Sequence, residues 1–241
     1  GPSIIYRQII WVDPDGDDLT ATNSAQGDMI VPFQTIGGAL NYLSNNSLLG
    51  WTIEVQAGIY LERAVLLISS KNSGVTIHLS GGVSIQGDPS NTSKGLFRLD
   101  GDCSATIVGD AIDGSYNHTL TTEGPLGGAS IVTRDGQEII FGTGLPNRTI
   151  IDIRECYHYT AAKSGVSYNL SPWSTEVLAL RLRDNIFYAP FGPSIGPGNT
   201  GHIFTNASNG GEFRWYWQGN TFYSTWSVTS GSPRYYAWYD S

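Results

Sequence analysis

The sequence predicts an all-β fold: a single-stranded right-handed parallel β-helix, a solenoid, closed at its front by one amphipathic helix. Three observations predict it: a recurring strand-and-corner pattern, a composition poor in charge and rich in glycine, and a single stretch of helical periodicity. Of 241 residues, 40% are hydrophobic, only 14% are charged and 30 are glycine, so the polar surface must come largely from Ser, Thr, Asn and Gln, as in β-rich extracellular and virion proteins. One elongated domain over residues 4–241 is expected, because all-β single domains of about 200–250 residues are routine.

In chain order, Gly1-Pro2-Ser3 reads as a protease-cleavage scar and is set aside. Residues 4–31 read as an N-terminal strand and loop. Residues 32–46 read as the capping helix, with Phe33, Ile36, Leu40 and Leu43 on one face and Pro32 near the start. Such a helix covers the open end of a stack of coils.

The coils are expected over 51–224. Five segments share one pattern: Ile77 to Ile85, Phe97 to Cys103, Ile151 to Tyr159, Leu180 to Tyr188 and Trp215 to Tyr223. Two apolar residues alternate with polar ones, then two small or polar residues, then Gly82, Asp102, Cys156, Asn185 or Asn220, then usually a second alternating run. The alternation is a strand with one face buried. The break is a tight corner, where Asn, Asp and Gly tolerate left-handed backbone or hydrogen-bond it locally. With Leu79, Leu99, Ile153, Leu182 and Trp217 as marks, the long gap between Leu99 and Ile153 is expected to hide one degenerate coil. Residues 225–241 read as an aromatic C-terminal cap.

The N-terminal third resembles a known opening. Val12 to Asp18, Pro32-Phe-Gln-Thr-Ile36, Ala39-Leu40 and Ile53 to Tyr60 are similar to the start of many pectate-lyase-like right-handed β-helix proteins, in which a strand, a PF-x-TI helix and a strand ending in G-x-Y follow one another. The likeness covers roughly residues 10–85. It implies the architecture and a bias towards carbohydrate, within a superfamily of polysaccharide lyases, phage tail spikes and fibres, and surface adhesins. Fold alone does not fix function.

A lyase of this kind needs calcium and a base to take an α-proton. Asp13, Asp15 and Asp17 have the spacing of the first half of a calcium loop, but Asp18 and Ser24 stand where glycine and glutamate would be required. A solvated turn is the preferred reading, so no cofactor is expected. A hydrolase needs two facing carboxylates. The repeat aligns outward positions as His78, Arg98, Asp152, Arg181 and Tyr216 in one column, and Ser80, Asp100, Arg154, Arg183 and Gln218 in the next. Asp100 and Asp152 are the only acids there, about two coils apart. With Arg181 and Arg183 they are the candidate catalytic set.

The same columns offer Arg98, Arg154, Arg181 and Arg183 to an acidic sugar. Tyr216, Trp226, Tyr236 and Trp238, from an aromatic-rich end, could stack on sugar rings or form a subunit contact. Cys103 and Cys156 read as structural, and the four histidines are given no role. The 21 acids outnumber 13 cations for a net charge of -8, and the cations are scattered along the chain, which argues against nucleic acid. No run is long enough to span a membrane.

The favoured expectation is a non-catalytic recognition module for a polysaccharide or cell-surface glycan, of the tail-fibre, spike or adhesin type, extracellular or on a virion surface. The alternatives are a lyase or hydrolase acting on an acidic polysaccharide, and a purely structural homotrimeric virion protein.

Overall fold

The computed structural model describes residues 8–24, 27–87, 95–110, 130–133, 138–141, 148–160, 168–170, 177–188, 201–205, 212–223 and 236–240. It is rich in strands, and every strand pairing is parallel. The first sheet runs β1 (Ile9–Val12), β2 (Thr52–Val55), β5 (Val75–Leu79), β8 (Cys103–Gly109), β11 (Arg148–Arg154), β14 (Val177–Arg183), β17 (Glu212–Gln218). The second runs β3 (Gly58–Glu62), β6 (Val83–Gly87), β9 (Ser130–Thr133), β12 (Tyr157–Thr160), β15 (Ile186–Tyr188), β18 (Thr221–Tyr223). The third runs β4 (Leu66–Ser69), β7 (Gly95–Asp100), β10 (Glu138–Phe141), β13 (Tyr168–Leu170), β16 (Gly201–Thr205), β19 (Tyr236–Asp240). From β2 onward each strand pairs with the strand three places later. Parallel neighbours always need a crossover, and here the crossover is a strand in each of the other two sheets.

Alternation puts the core between the sheets. In the first sheet the register stacks Ile10, Ile53, Ile77, Ile107, Ile153 and Leu182, ending on Trp217. All but Trp217 are fully buried. Each such side chain contributes about 1.5–3 kcal/mol on leaving water. Trp217, on the last strand of the sheet, is 38% exposed.

The register corrects the repeat in two places. Phe97 and Leu99 lie in β7 of the third sheet, not beside Ile77 and Ile153, and the hidden round expected after Leu99 is β8 with Ile107. Phe97 to Gly101 carries the same alternation and corner as a first-sheet strand, and alternation does not say which sheet a strand joins. The partner of Ile153 is also Ile77 rather than Leu79. That slip of two residues leaves the faces unchanged.

The corners differ from expectation too. At Gly82 the slot itself is left-handed as expected, with φ of 86°, but at the Cys156, Asn185 and Asn220 corners the left-handed residue is the one before the slot: Glu155, Asp184 and Gly219, with φ of 55°, 54° and 65°. The slot itself builds a ladder. Buried Asn185 donates to the Ile153 carbonyl at 2.9 Å, and its Oδ1 accepts from the Cys156 amide at 3.2 Å. Asn220 repeats this one round later, donating to the Leu182 carbonyl at 2.8 Å and accepting from the Asn185 amide at 3.0 Å.

The helix expected over 32–46 is α2 (Ile36–Asn45), burying Ile36, Ala39, Leu40 and Leu43. Thr35 is its N-cap, its hydroxyl accepting from the Gly38 amide at 2.9 Å. A shorter helix not foreseen from the sequence, α1 (Asp18–Ser24), precedes it. Asp18 ties the two together through the Gln34 and Thr35 amides at 2.8 and 3.0 Å and the Thr35 hydroxyl at 2.6 Å. A side chain at Gly38 would collide with this carboxylate. Glu62 of β3 is buried against the same helix end and accepts from the Ile36 amide at 3.1 Å. Burial pushes its pKa from 4.5 up to about 7, although the Ile36 and Gly37 amides pull it back and Asp18 adds repulsion. No helix among the described residues is long and apolar enough to cross a membrane.

Candidate functional site

The outer face of the first sheet gathers side chains from three successive rounds. On β11 the outward positions are Ile150, Asp152 and Arg154. On β14 they are Ala179, Arg181 and Arg183, and on β17 Arg214, Tyr216 and Gln218. Strands about 4.8 Å apart thus bring four arginines onto one wall of a chain with net charge -8. Asp152 is the one acid among these nine positions.

The cations are held in different ways. Arg183 reaches diagonally to Asp152, its Nη2 bonding Oδ2 and its Nε 3.4 Å from Oδ1. The Asp152 hydrogen bond and charge raise the Arg183 pKa further above its ordinary value. Asp152 is only 9% exposed, so this pair spends its acid internally. Arg181 lies over the ring of Tyr216, its guanidinium carbon 5.2 Å from the ring centre. At this distance a cation is drawn to the negative ring face. Arg181 and Tyr216 are both exposed, the latter 49%. Arg154 is the direct neighbour of Arg183, and its buried Nε has no hydrogen-bond partner among the described residues.

The remaining sequence candidates fall elsewhere. Arg98 and Asp100 sit on β7 in the third sheet and pair with each other, Arg98 Nε lying 3.1 and 2.9 Å from the two carboxylate oxygens. Asp100 and Asp152 therefore stand in different sheets, and the facing carboxylate pair does not form. Trp226 lies outside the described residues, as do residues 1–7. Tyr236 and Trp238 lie on β19, opposite Gly201 and Ile203.

Asp13, Asp15 and Asp17 are used locally. Asp13 Oδ1 accepts from the Asp15 amide at 2.9 Å and Asp17 Oδ1 from the Thr20 amide at 2.6 Å. The latter bond, first among the causes, lowers the Asp17 pKa. Among the described residues no three His, Cys, Asp or Glu side chains are grouped to hold a metal ion. Cys103 and Cys156 are free and buried, and burial pushes both thiols up to about 12.

Two groups escaped the sequence reading. Arg214 lies outward two residues before Tyr216, which extending the alternation backwards would have shown. His78 joins the first sheet's second outward column between Glu54 and Val108. Its Nδ1 lies 2.6 Å from Glu54 and its Nε2 3.0 Å from Asp110. Aligning Ile53 with Ile77 would have set Glu54 beside His78.

Comparison with known proteins gives no match: no family model, no curated protein and no solved structure matches this chain.

Proposed function

We propose that the chain is a right-handed parallel β-helix of the pectate-lyase-like kind, acting as a non-catalytic module on an extracellular or virion surface that recognises an acidic cell-surface glycan. The rotation of successive strands through three parallel sheets supports the architecture. The observation that carries the function is the wall of Arg154, Arg181, Arg183 and Arg214 with Tyr216 among them. Guanidinium forks match carboxylate and sulfate groups in geometry as well as charge. The exposed Tyr216 ring, already faced by Arg181, offers a surface for a sugar ring.

Binding ranks above cleavage because Asp152, the one acid of the wall, is occupied by Arg183, and Asp100 is on another sheet. The scatter of cations along the sequence, used above to set nucleic acid aside, does not extend to space, since four arginines meet on one face. Asp152 on that face and Glu155 and Asp184 at its corners break the patch for a regular phosphate backbone, so glycan remains the favoured anion.

The test is a panel of acidic and neutral polysaccharides, with single-stranded DNA as a control polyanion, read for binding and for new reducing ends or unsaturated uronates. Saturable binding to acidic glycans without new ends is expected. Cleavage, or equal affinity for the DNA, would contradict the reading.

A further inference from the structure

At the opposite end of the molecule, β3 closes the second sheet with β6 as its one strand neighbour. The Gly58 amide points to the β6 side, donating to the Gly82 carbonyl at 3.2 Å. Backbone groups alternate sides along a strand, so Ile59 and Leu61 turn their N–H and C=O groups the other way. No partner for them occurs there among the described residues.

What lies there is a cleft of about 500 Å³ lined by Ile59 to Ala64 on one side and by Pro14, Asp18, Gln34 and the first turn of α2 on the other. Its size is that of ligand sites, about 300–1,000 Å³. Proteins usually cover such edges, and this edge is covered at both ends. Pro14 packs so closely on Gly58 that a side chain there would collide with it, and the Glu62 carboxylate is bonded to the helix end. Between these stops the edge is open, flanked by Ile59 and Leu61, each 50% exposed. The cleft is acidic as well: Asp18 and Glu62 line it against Arg63, and Asp13, Asp15 and Asp17 adjoin Pro14 and Asp18 in the chain.

We propose that this cleft is a docking site for an extended peptide of a partner protein, bearing lysine or arginine, that adds as a strand along Ile59–Leu61 with its cations towards the aspartates. Strand addition draws affinity from main-chain hydrogen bonds and specificity from alternate side chains. Exposed Ile59 and Leu61 supply the apolar contacts. This site is separate from the arginine wall and does not rest on the glycan reading.

The test titrates the full chain with a labelled heptapeptide alternating valine and lysine. Controls are the same peptide N-methylated at its central amides and a valine–glutamate counterpart. Binding is read by anisotropy and by hydrogen exchange at the Ile59 and Leu61 amides. Expected are protection of those two amides, loss of binding on N-methylation, and a loss of about tenfold or more for the acidic peptide and for Leu61→Lys, from like-charge repulsion. Leu61→Lys changes an exposed side chain, and its circular dichroism and acidic-glycan binding should match the parent's. Binding that survives N-methylation, binding unchanged in a folded Leu61→Lys variant, or no binding of the basic peptide would each overturn the proposal.

Discussion

Asn185 shows how one side chain couples two rounds of the chain. It is fully buried, and its amide group meets a carbonyl of the preceding round, the amide of Cys156 and the Oδ1 of Asn220. Asn185→Ala takes the side-chain partner from the Ile153 carbonyl and the Cys156 amide in a buried corner, while Asn220 Oδ1 keeps the Asn185 main-chain amide, at an expected cost of about 2–4 kcal/mol, read by denaturant unfolding. The sequence showed that the corner wants Asn, either for left-handed backbone or for hydrogen bonds to backbone, and left the two open; the structure shows the second. Both explanations call for the same residue type, and only the pairing of successive rounds separates them. His78 is the second residue of consequence. Burial alone would lower its pKa, yet the hydrogen bonds and charges of Glu54 and Asp110 outweigh this and raise it above 6.5. Two ionised carboxylates can accept from both ring nitrogens only while the imidazole carries both protons. The folded value exceeds the unfolded one, so this stabilisation is full below pH 6.5 and is lost as pH rises through the raised value. His78→Ala should flatten that part of the profile of unfolding midpoint against pH.

Among the elements, α2 was legible because its apolar residues recur at helical spacing and end up on the core. α1 was not, because Asp18–Ser24 is polar on nearly every side and, over Asp18–Asn23, buries only Ala21. Its reason for existing is tertiary: Asp17 caps it and Asp18 reaches over to Thr35. The junction of α2 with β3 titrates. Glu62 has a folded pKa of about 7 against 4.5, so more protons are bound in the folded state between those values. Stability should be full below pH 4.5, fall as pH rises and reach its floor above about pH 7, the whole effect being at most about 3 kcal/mol. Glu62→Gln should remove this fall while keeping an acceptor for the Ile36 amide. A Glu62→Gln profile as steep as the parent's between pH 4.5 and 7 would show that another group titrates.

On the scale of the whole molecule, the inward face of the first sheet was readable from alternation, and with it the outward columns of β11, β14 and β17. Asp152 beside Arg181 and Arg154 beside Arg183 stand as the repeat placed them. The assignment failed for Arg98 and Asp100, since membership of a sheet depends on pairing over whole rounds, whose loops vary in length. That same variation conceals the charge pattern: Arg154 and Arg214 are far apart in sequence and two strands apart in space. Recognition of an acidic glycan is proposed for this wall. The most direct measurement is calorimetric titration of an acidic polysaccharide bound in the panel against the parent, the Arg181→Ala/Tyr216→Ala double variant and Arg98→Ala on the third sheet. The double variant is expected to lose affinity by about tenfold or more, from the lost guanidinium and ring contacts, while Arg98→Ala binds like the parent. Equal affinity for the parent and the double variant, or a comparable loss in Arg98→Ala, would contradict it.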